Sequence, residues 1–344
     1  MSVFTTFDFD NDVVENQKVK VSSGIFSGGT GTLTAFYTAS AQTATGSFYS
    51  VYHQDPDDSS TSSTAEVQFD IGFAHFFGSG SAGNLLATKG GTNGNRETAA
   101  NYRQFANILL PPGTEKFTFT SAPSASNDFY FVAFNRARMR EKLDPGNWEL
   151  VLGSGAAKRK YIDDSGATNN PTVNEGGRVF NIVSGSLETG VGVIKTAAAS
   201  QTGGAIGSFY PDLGILLFNA SQLDSHFGLS TSRSSDTFDN NGRKFFNSIV
   251  DGEYFQARRE EEISSTNYFC RVTNKNYNFS ANPTFFSGSD GSLTNSTFFK
   301  DPKVFITQVG LYNDANELLA IAKLSKPILK SYSREAIIKV KLDF

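Results

Sequence analysis

Apolar and polar residues alternate strictly over residues 338–344. Such alternation is typical of a strand with one buried face, and it predicts a strand over residues 334–344. The face expected to be buried carries Ile338, Val340, Leu342 and Phe344. Similar patterns predict further strands over residues 65–77, 115–120, 128–135, 148–153, 214–221, 264–274, 304–312 and 318–324.

Helical spacing of apolar residues is less common in this chain. It predicts a helix over residues 97–110, which ends at Pro111 because proline cannot continue a helix. Shorter helices are predicted over residues 136–143, 222–227 and 242–252.

Glycine, serine and asparagine are abundant in two long connections, residues 78–95 and 154–178. Both are longer than ordinary connections, and we expect them to contact other molecules. Together with the neighbouring helices, they predict helical and loop excursions at residues 78–113 and 222–262. Neither a repeat nor a linker divides the sequence, which therefore predicts a single large unit over residues 1–344.

The composition narrows the fold class and the partners. The chain has 32 Phe, 12 Tyr and 32 Gly, and aromatic residues favour sheets whereas glycine favours turns. The sequence therefore predicts a mainly β protein, with α+β at the margin of that class. A net charge of −4 argues against general nucleic-acid binding, which requires a concentrated positive surface. Cys270 is the single cysteine and is predicted to be a buried, unreactive thiol.

The sequence contains only incomplete matches to nucleotide-binding and metal-binding motifs. Residues 78–83 match G-x-G-x-x-G, but the following segment is too short for the helix that a dinucleotide requires. Residues 8–12 begin like a calcium loop, but valine replaces the required Gly and Glu later in it. His53, His75 and His226 are too far apart in sequence for a local zinc motif. We therefore assign no catalytic, cofactor-binding or metal-binding residue, and we expect no cofactor.

Two charged runs are predicted to be solvated segments. The basic run contains Arg136, Arg138, Arg140 and Lys142, with an acidic partner protein as the next possibility and nucleic acid as a distant third. The acidic run covers residues 260–262. The first residues lack the basic and apolar regions of a signal peptide, and no stretch has the length of a membrane span. These features predict assembly in a cytoplasm without membrane insertion.

Six long segments together resemble a known protein family. They are residues 63–81, 102–119, 134–150, 209–221, 245–285 and 309–344. They resemble tail structural proteins of T-even-like contractile-tailed phages, especially those that infect marine cyanobacteria. Among these proteins, the length and the terminal strand with its preceding Lys-Pro-Ile segment are most similar to the baseplate wedge subunit.

The resemblance implies a layered β-sandwich with short helical excursions and long loops. It also implies a virion structural protein that is not an enzyme, that forms a homodimer and that binds other tail and baseplate proteins. Two alternatives stay open. One is another virion interaction protein, such as a neck, collar, fibre-attachment or receptor-binding part, and the other is a virion-associated glycan depolymerase.

Overall fold

A computed structural model describes residues 4–7, 13–40, 48–78, 98–119, 124–153, 158–166, 171–185, 205–227, 241–288 and 290–344. Strands make up 46% of the structure and helices 15%, so the prediction of a mainly β fold is confirmed. The described residues form two compact units. Unit 1 contains residues 1–20 and 262–344, and unit 2 contains residues 21–261. The prediction of a single unit over residues 1–344 stays a prediction.

The described elements are numbered in chain order. The strands are β1 Val13–Gly24, β2 Thr32–Leu33, β3 Phe48–Tyr52, β4 Val67–His75, β5 Asp128–Phe134, β6 Lys142–Leu143, β7 Glu149–Leu152, β8 Arg159–Asp163, β9 Thr172–Asn174, β10 Gly177–Gly185, β11 Gly207–Tyr210, β12 Ile215–Asn219, β13 Phe255–Gln256, β14 Arg258–Val272, β15 Phe286–Ser287, β16 Ser292–Leu293, β17 Val304–Tyr312, β18 Leu318–Lys330 and β19 Ala336–Asp343. The α-helices are α1 Thr98–Leu109, α2 Arg136–Met139, α3 Ala220–Phe227 and α4 Asn241–Val250.

Unit 2 is organised around one large antiparallel sheet. Its strand order is β2-β13-β7-β8-β10-β11-β12-β5-β4-β3, and β9 pairs with β10 beside this path. Strand β5 is an interior strand with a regular register, and it pairs with β4 on one side and with β12 on the other.

Both faces of the central strands are buried. In β5, Tyr130 and Val132 belong to one apolar cluster, whereas Phe129 and Phe131 belong to a second cluster on the opposite face. Successive side chains of a strand point to opposite faces, so an almost continuously apolar strand is suited to this position. The helix α1 covers the second cluster with side chains such as Tyr102.

The large sheet curls so that distant strands meet across the first cluster. Phe255 of β13 lies 5.1 Å from Phe69 of β4 and 5.4 Å from Phe134 of β5, measured between ring centroids. These strands are far apart in the strand order, so the sheet folds back around its own aromatic side chains. The result is a sandwich-like core in which ten of the thirty described buried residues are phenylalanine.

Two local predictions in unit 2 are wrong. The helix predicted over residues 136–143 ends at Met139, because Arg140 has a φ of 60°, and Leu143 instead pairs with Arg259 of β14. Residues 115–120 contain no strand among the described positions. Phe119 forms only an isolated β-bridge, and Phe117 packs against Tyr102 with 5.7 Å between the rings, so burial rather than a strand accounts for Phe117.

The predicted long loop over residues 154–178 also needs correction. Its described part contains β8, β9 and the start of β10, because these short segments complete the large sheet. The predicted loop over residues 78–95 lies outside the described residues beyond Gly78. The helices predicted near residues 97–110, 222–227 and 242–252 are confirmed.

Unit 1 contains β19, which pairs with β14, and two further hairpins, β15–β16 and β17–β18. The terminal alternation is confirmed in part. Ile338 and Val340 are buried and Leu342 is half-buried, but Phe344 is 76% exposed. Phe344 lies one residue beyond β19, and its backbone N still donates to Ser264 O of β14 at 2.9 Å, but its ring points into solvent.

Candidate interaction surface

The core of unit 1 lies between two layers of strands and is small. Its buried centre consists of Leu311, Ile338 and Val340, and half-buried side chains such as Tyr268 and Leu324 surround it. The hairpin β17–β18 therefore packs one face against β14 and β19. Cys270 lies in this layer and is half-buried rather than fully buried, which corrects the prediction of a buried thiol.

Exposed apolar side chains concentrate in unit 1. Among the described residues, fourteen large apolar side chains are exposed in unit 1 and eight in unit 2, although unit 2 is more than twice as long. Buried apolar residues have the opposite distribution, since only five of them lie in unit 1. Single exposed apolar residues are normal on a protein surface, whereas contiguous ones mark interaction sites.

The outward side of the hairpin holds a contiguous group, which we call the outer hairpin face: Phe4, Tyr312, Leu318 and Ile321. Their exposed fractions are 46%, 45%, 51% and 53%, respectively. Tyr312 pairs with Leu318 across the hairpin, and Ile321 pairs with Gly310 two residues before Tyr312. Residues directly opposite in an antiparallel pair lie on the same face of a sheet, so these side chains form one surface.

Close packing holds the outer hairpin face together. The ring of Phe4 meets that of Tyr312 edge-on, with 4.6 Å between centroids. Gly310 lacks a side chain, and a Cβ atom there would lie 2.9 Å from Cε2 of Tyr312. Any larger residue at this position would displace the tyrosine ring. Gly310 therefore lets Tyr312 lie flat along the hairpin beside Leu318.

A buried lysine fixes the base of the hairpin. Lys330 is 0% exposed, and its Nζ donates hydrogen bonds to Asn274 O at 3.0 Å, Asn278 Oδ1 at 3.0 Å and Ser331 O at 2.9 Å. Burial lowers the pKa of Lys330, and the charge of Glu335 partly opposes this. The lysine thus joins β18 to the segment that begins the β15–β16 excursion.

That excursion carries a second apolar group. Phe285 is buried between other rings, with 5.0 Å to Phe298 and 5.3 Å to Phe279. Phe279 is 63% exposed and Phe299 is 82% exposed. Together with the outer hairpin face, these rings explain why most of the exposed large apolar side chains of the described chain lie in unit 1.

Of the three histidines, His53 and His75 have side chains among the described residues. His53 is half-buried and its Nδ1 lies 3.4 Å from Nε2 of Gln68, whereas His75 is buried and accepts a hydrogen bond from the backbone N of Phe77. The side chain of His226, residues 8–12 and residues 79–83 lie outside the described residues. Over the described ranges, no group of three or more His, Cys, Asp or Glu residues is arranged to hold a metal ion.

The prediction that both charged runs are solvated is confirmed in part, because Arg136, Arg140 and Glu262 are exposed whereas other members of the runs are half-buried or buried. Arg138 pairs with Glu66 at 2.7 Å, Arg140 with Glu261 at 3.1 Å and Lys142 with Glu260 at 3.2 Å. Glu260 is 6% exposed, because it lies in β14 rather than in a loop. Arg138, Arg140 and Lys142 therefore form ion pairs with carboxylates of unit 2.

Comparisons of the chain with protein-family models, with curated proteins and with solved structures find no match. Within the part of the chain that the structure describes, the helices are too short and too polar to cross a membrane.

Sequence reasoning assigned intermolecular contacts to the long loops and missed the outer hairpin face. One signal was available. Residues 318–324 read Leu-Leu-Ala-Ile-Ala-Lys-Leu, so the predicted strand lacks a regular polar face. A strand that is apolar on both faces needs cover on both, and a two-stranded hairpin at the surface receives cover on one side only.

Proposed function

We propose that this protein is a structural component of a larger protein assembly and that unit 1 provides a main binding surface. The outer hairpin face carries this proposal, because four contiguous large apolar side chains there are each about half exposed. Specific interfaces place aromatic and aliphatic residues at their centre. The aromatic core of unit 2 is buried within the chain, as expected of a structural component.

The more specific proposal is a virion structural protein, most like a baseplate wedge component of a contractile phage tail. It rests on the resemblance of the six segments, and the sandwich-like β fold is compatible with it. The partners in this proposal are a second copy of the chain and other tail or baseplate proteins. Residues 309–344 carry part of the resemblance and also contain most of the outer hairpin face, so the two lines of support meet in unit 1.

Labelling of purified particles tests this proposal. If the proposal holds, a phage encodes the chain; a gold-labelled antibody against the chain is applied to particles of that phage, and electron microscopy records its position. The expected result is a label at the distal end of the tail. A label at the neck or on the fibres supports the alternative of another virion interaction part.

Mass spectrometry of the same particles provides the stricter outcome. We expect peptides of the chain to remain after density-gradient purification, in fixed proportion to the other tail proteins. Absence of the chain from purified particles would contradict a structural role.

A further inference from the structure

The strand β19 is an edge strand of unit 1. The strand order β1-β14-β19 ends with it, and its pairing with β14 runs from Ala336 to Asp343 without a register shift. The strand contains neither proline nor glycine. By contrast, β18 contains Pro327, and its register with β17 shifts twice. Among the described residues, β19 therefore offers a regular backbone edge with no strand paired to its outer side.

The register shows which backbone groups lie along this edge. The backbone N of Phe344 donates to O of Ser264 at 2.9 Å, and these residues lie opposite each other when the register of β19 is continued by one pair. Hydrogen-bonded and non-hydrogen-bonded pairs alternate in antiparallel strands. The even-numbered residues of β19 therefore direct N–H and C=O toward β14. The odd-numbered residues direct theirs to the open side, where the described chain pairs none of them: Ile337, Lys339, Lys341 and Asp343.

One face of β19 would give an added strand apolar neighbours. Ile338 and Val340 are buried in the small core of unit 1, whereas Leu342 is only half-buried at its margin. Residues directly opposite each other in neighbouring strands lie on the same face of a sheet. An added strand therefore needs apolar residues opposite these three, and its side chains would extend the core and cover Leu342.

The other face of β19 selects for acidic residues. Lys339 and Lys341 are exposed there. Nζ of Lys341 lies 2.9 Å from Oδ1 of Asp343, whereas Lys339 lies over the ring of Phe269 and forms no ion pair with a carboxylate of the described chain. Lysines on an edge strand oppose pairing with an unmatched strand. A strand with carboxylates opposite these lysines instead gains pairs of opposite charge.

We infer that the free edge of β19 binds an extended segment of a different protein as an added antiparallel strand, in which apolar and acidic residues alternate. In this mode of recognition, backbone hydrogen bonds supply affinity and side chains supply specificity. The four open residues can form up to about eight backbone hydrogen bonds with such a strand. This inference rests on the proposed function and assigns unit 1 a second contact site, apart from the outer hairpin face.

A second copy of β19 does not meet these requirements. When two copies pair antiparallel over their full length, Lys339 of each copy lies opposite Lys341 of the other. Like charges directly opposite each other destabilise a strand pair. The edge therefore disfavours its own sequence and favours a strand of opposite charge.

A designed peptide tests the inference with the full chain. The labelled probe is Lys-Val-Glu-Val-Glu-Val-Val, which places glutamate opposite Lys339 and Lys341, lysine opposite Asp343, and valine opposite the apolar residues of β19. Fluorescence anisotropy over a concentration series of the chain measures the Kd, and we expect saturable binding. The matched peptide has lysine in place of both glutamates, and it should bind at least about tenfold more weakly.

Two variants at Lys339 separate the backbone edge from the charge. Because Lys339 directs its N–H to the open side, Lys339→Pro removes no hydrogen bond to β14 but blocks an added strand, and it should raise the Kd of the acidic peptide by about tenfold or more. Lys339→Glu keeps the backbone, and it should weaken binding of the acidic peptide while strengthening binding of the lysine peptide. Circular dichroism verifies the folding of each variant. Lys300→Glu, which reverses an exposed lysine of unit 1 outside β19, is the control and should change neither Kd.

Three results would overturn the inference. They are the lack of saturable binding, an equal Kd for the two peptides, and a Kd that neither variant at Lys339 changes. Sedimentation velocity adds a fourth, since a native dimer that Lys339→Pro dissociates would show that a second copy occupies the edge. None of these results bears on the labelling of particles, so a failure here is distinguishable from a failure of the proposed function.

Discussion

The large sheet of unit 2 and the hairpin of unit 1 are both antiparallel, but they distribute apolar side chains differently. Strands β5 and β12 bury both of their faces, and residues such as Val132, Leu216 and Leu217 are 0% exposed. The hairpin β17–β18 buries one face and leaves Leu318 and Ile321 about half exposed on the other. Unit 2 therefore completes its core within the chain, whereas unit 1 presents apolar surface that suits a partner.

The largest expected effect is the difference in stability loss between a Leu→Ala substitution in unit 2 and the same substitution in unit 1. Leu216→Ala removes a fully buried side chain between β5 and β11, and it should lower the free energy of unfolding by about 2–5 kcal/mol. Leu318→Ala removes a half-exposed side chain, and it should change that free energy by less than about 0.5 kcal/mol in dilute monomer. Denaturant unfolding measures both, and equal losses would contradict the proposed difference.

An intermediate effect is expected at the base of the hairpin. Lys330→Met leaves three oxygen acceptors without their donor, which should destabilise unit 1 by about 1–3 kcal/mol. The matched control is Lys326→Met, four residues earlier in the same strand, where the exposed side chain has no partner in the described chain. Hydrogen exchange of β18 amides measures the local loss, and equal exchange in the two variants would count against a structural role of Lys330.

The smallest expected effect is a pH dependence in unit 2. Burial raises the pKa of Asp212, but hydrogen bonds from the side chain and backbone of Arg178 outweigh this and lower the pKa overall. Because the folded-state pKa lies below the unfolded value near 3.8, this pair contributes stability above that pH and loses it as the pH falls through the folded pKa. Both side chains are about 30% exposed, so the contribution should be below about 1 kcal/mol.

Acid titration of stability checks this sign. Asp212→Asn should reduce the loss of unfolding free energy below pH 4, compared with the native chain. Asp251→Asn, which changes an exposed aspartate of the same unit, is the control. A titration of Asp212→Asn with the native slope would show that the Arg178 pair contributes nothing.

Much of the β-structure could be predicted from the sequence, because many strands either alternate apolar and polar residues or are continuously apolar. The bounds of β17 were predicted correctly, and those of β19 to within two residues. The errors arose where distant contacts decide the structure. Phe117 and Phe119 have a strand-like pattern but are buried without a ladder of their own, and Arg140 adopts a positive φ that breaks a helical pattern.

The candidate site was less predictable than the fold. The sequence does not distinguish an exposed apolar residue from a buried one. Ile321 is exposed and Leu311 is buried only because the hairpin packs one of its faces against other strands. Exposure of Phe4 beside Tyr312 requires two segments about 300 residues apart to meet.

Hydroxyl-radical footprinting tests the central claim most directly, because it measures the solvent exposure of individual side chains. Tyr312 of the outer hairpin face is 45% exposed and Tyr37 of unit 2 is 39% exposed, so they form a matched pair. In the isolated dilute chain, both tyrosines should be oxidised at similar rates. In purified particles, oxidation of Tyr312 should fall by about tenfold or more, as expected for a fully covered interface centre, while Tyr37 stays reactive. Equal oxidation of Tyr312 in the particle and in the isolated chain would contradict the account.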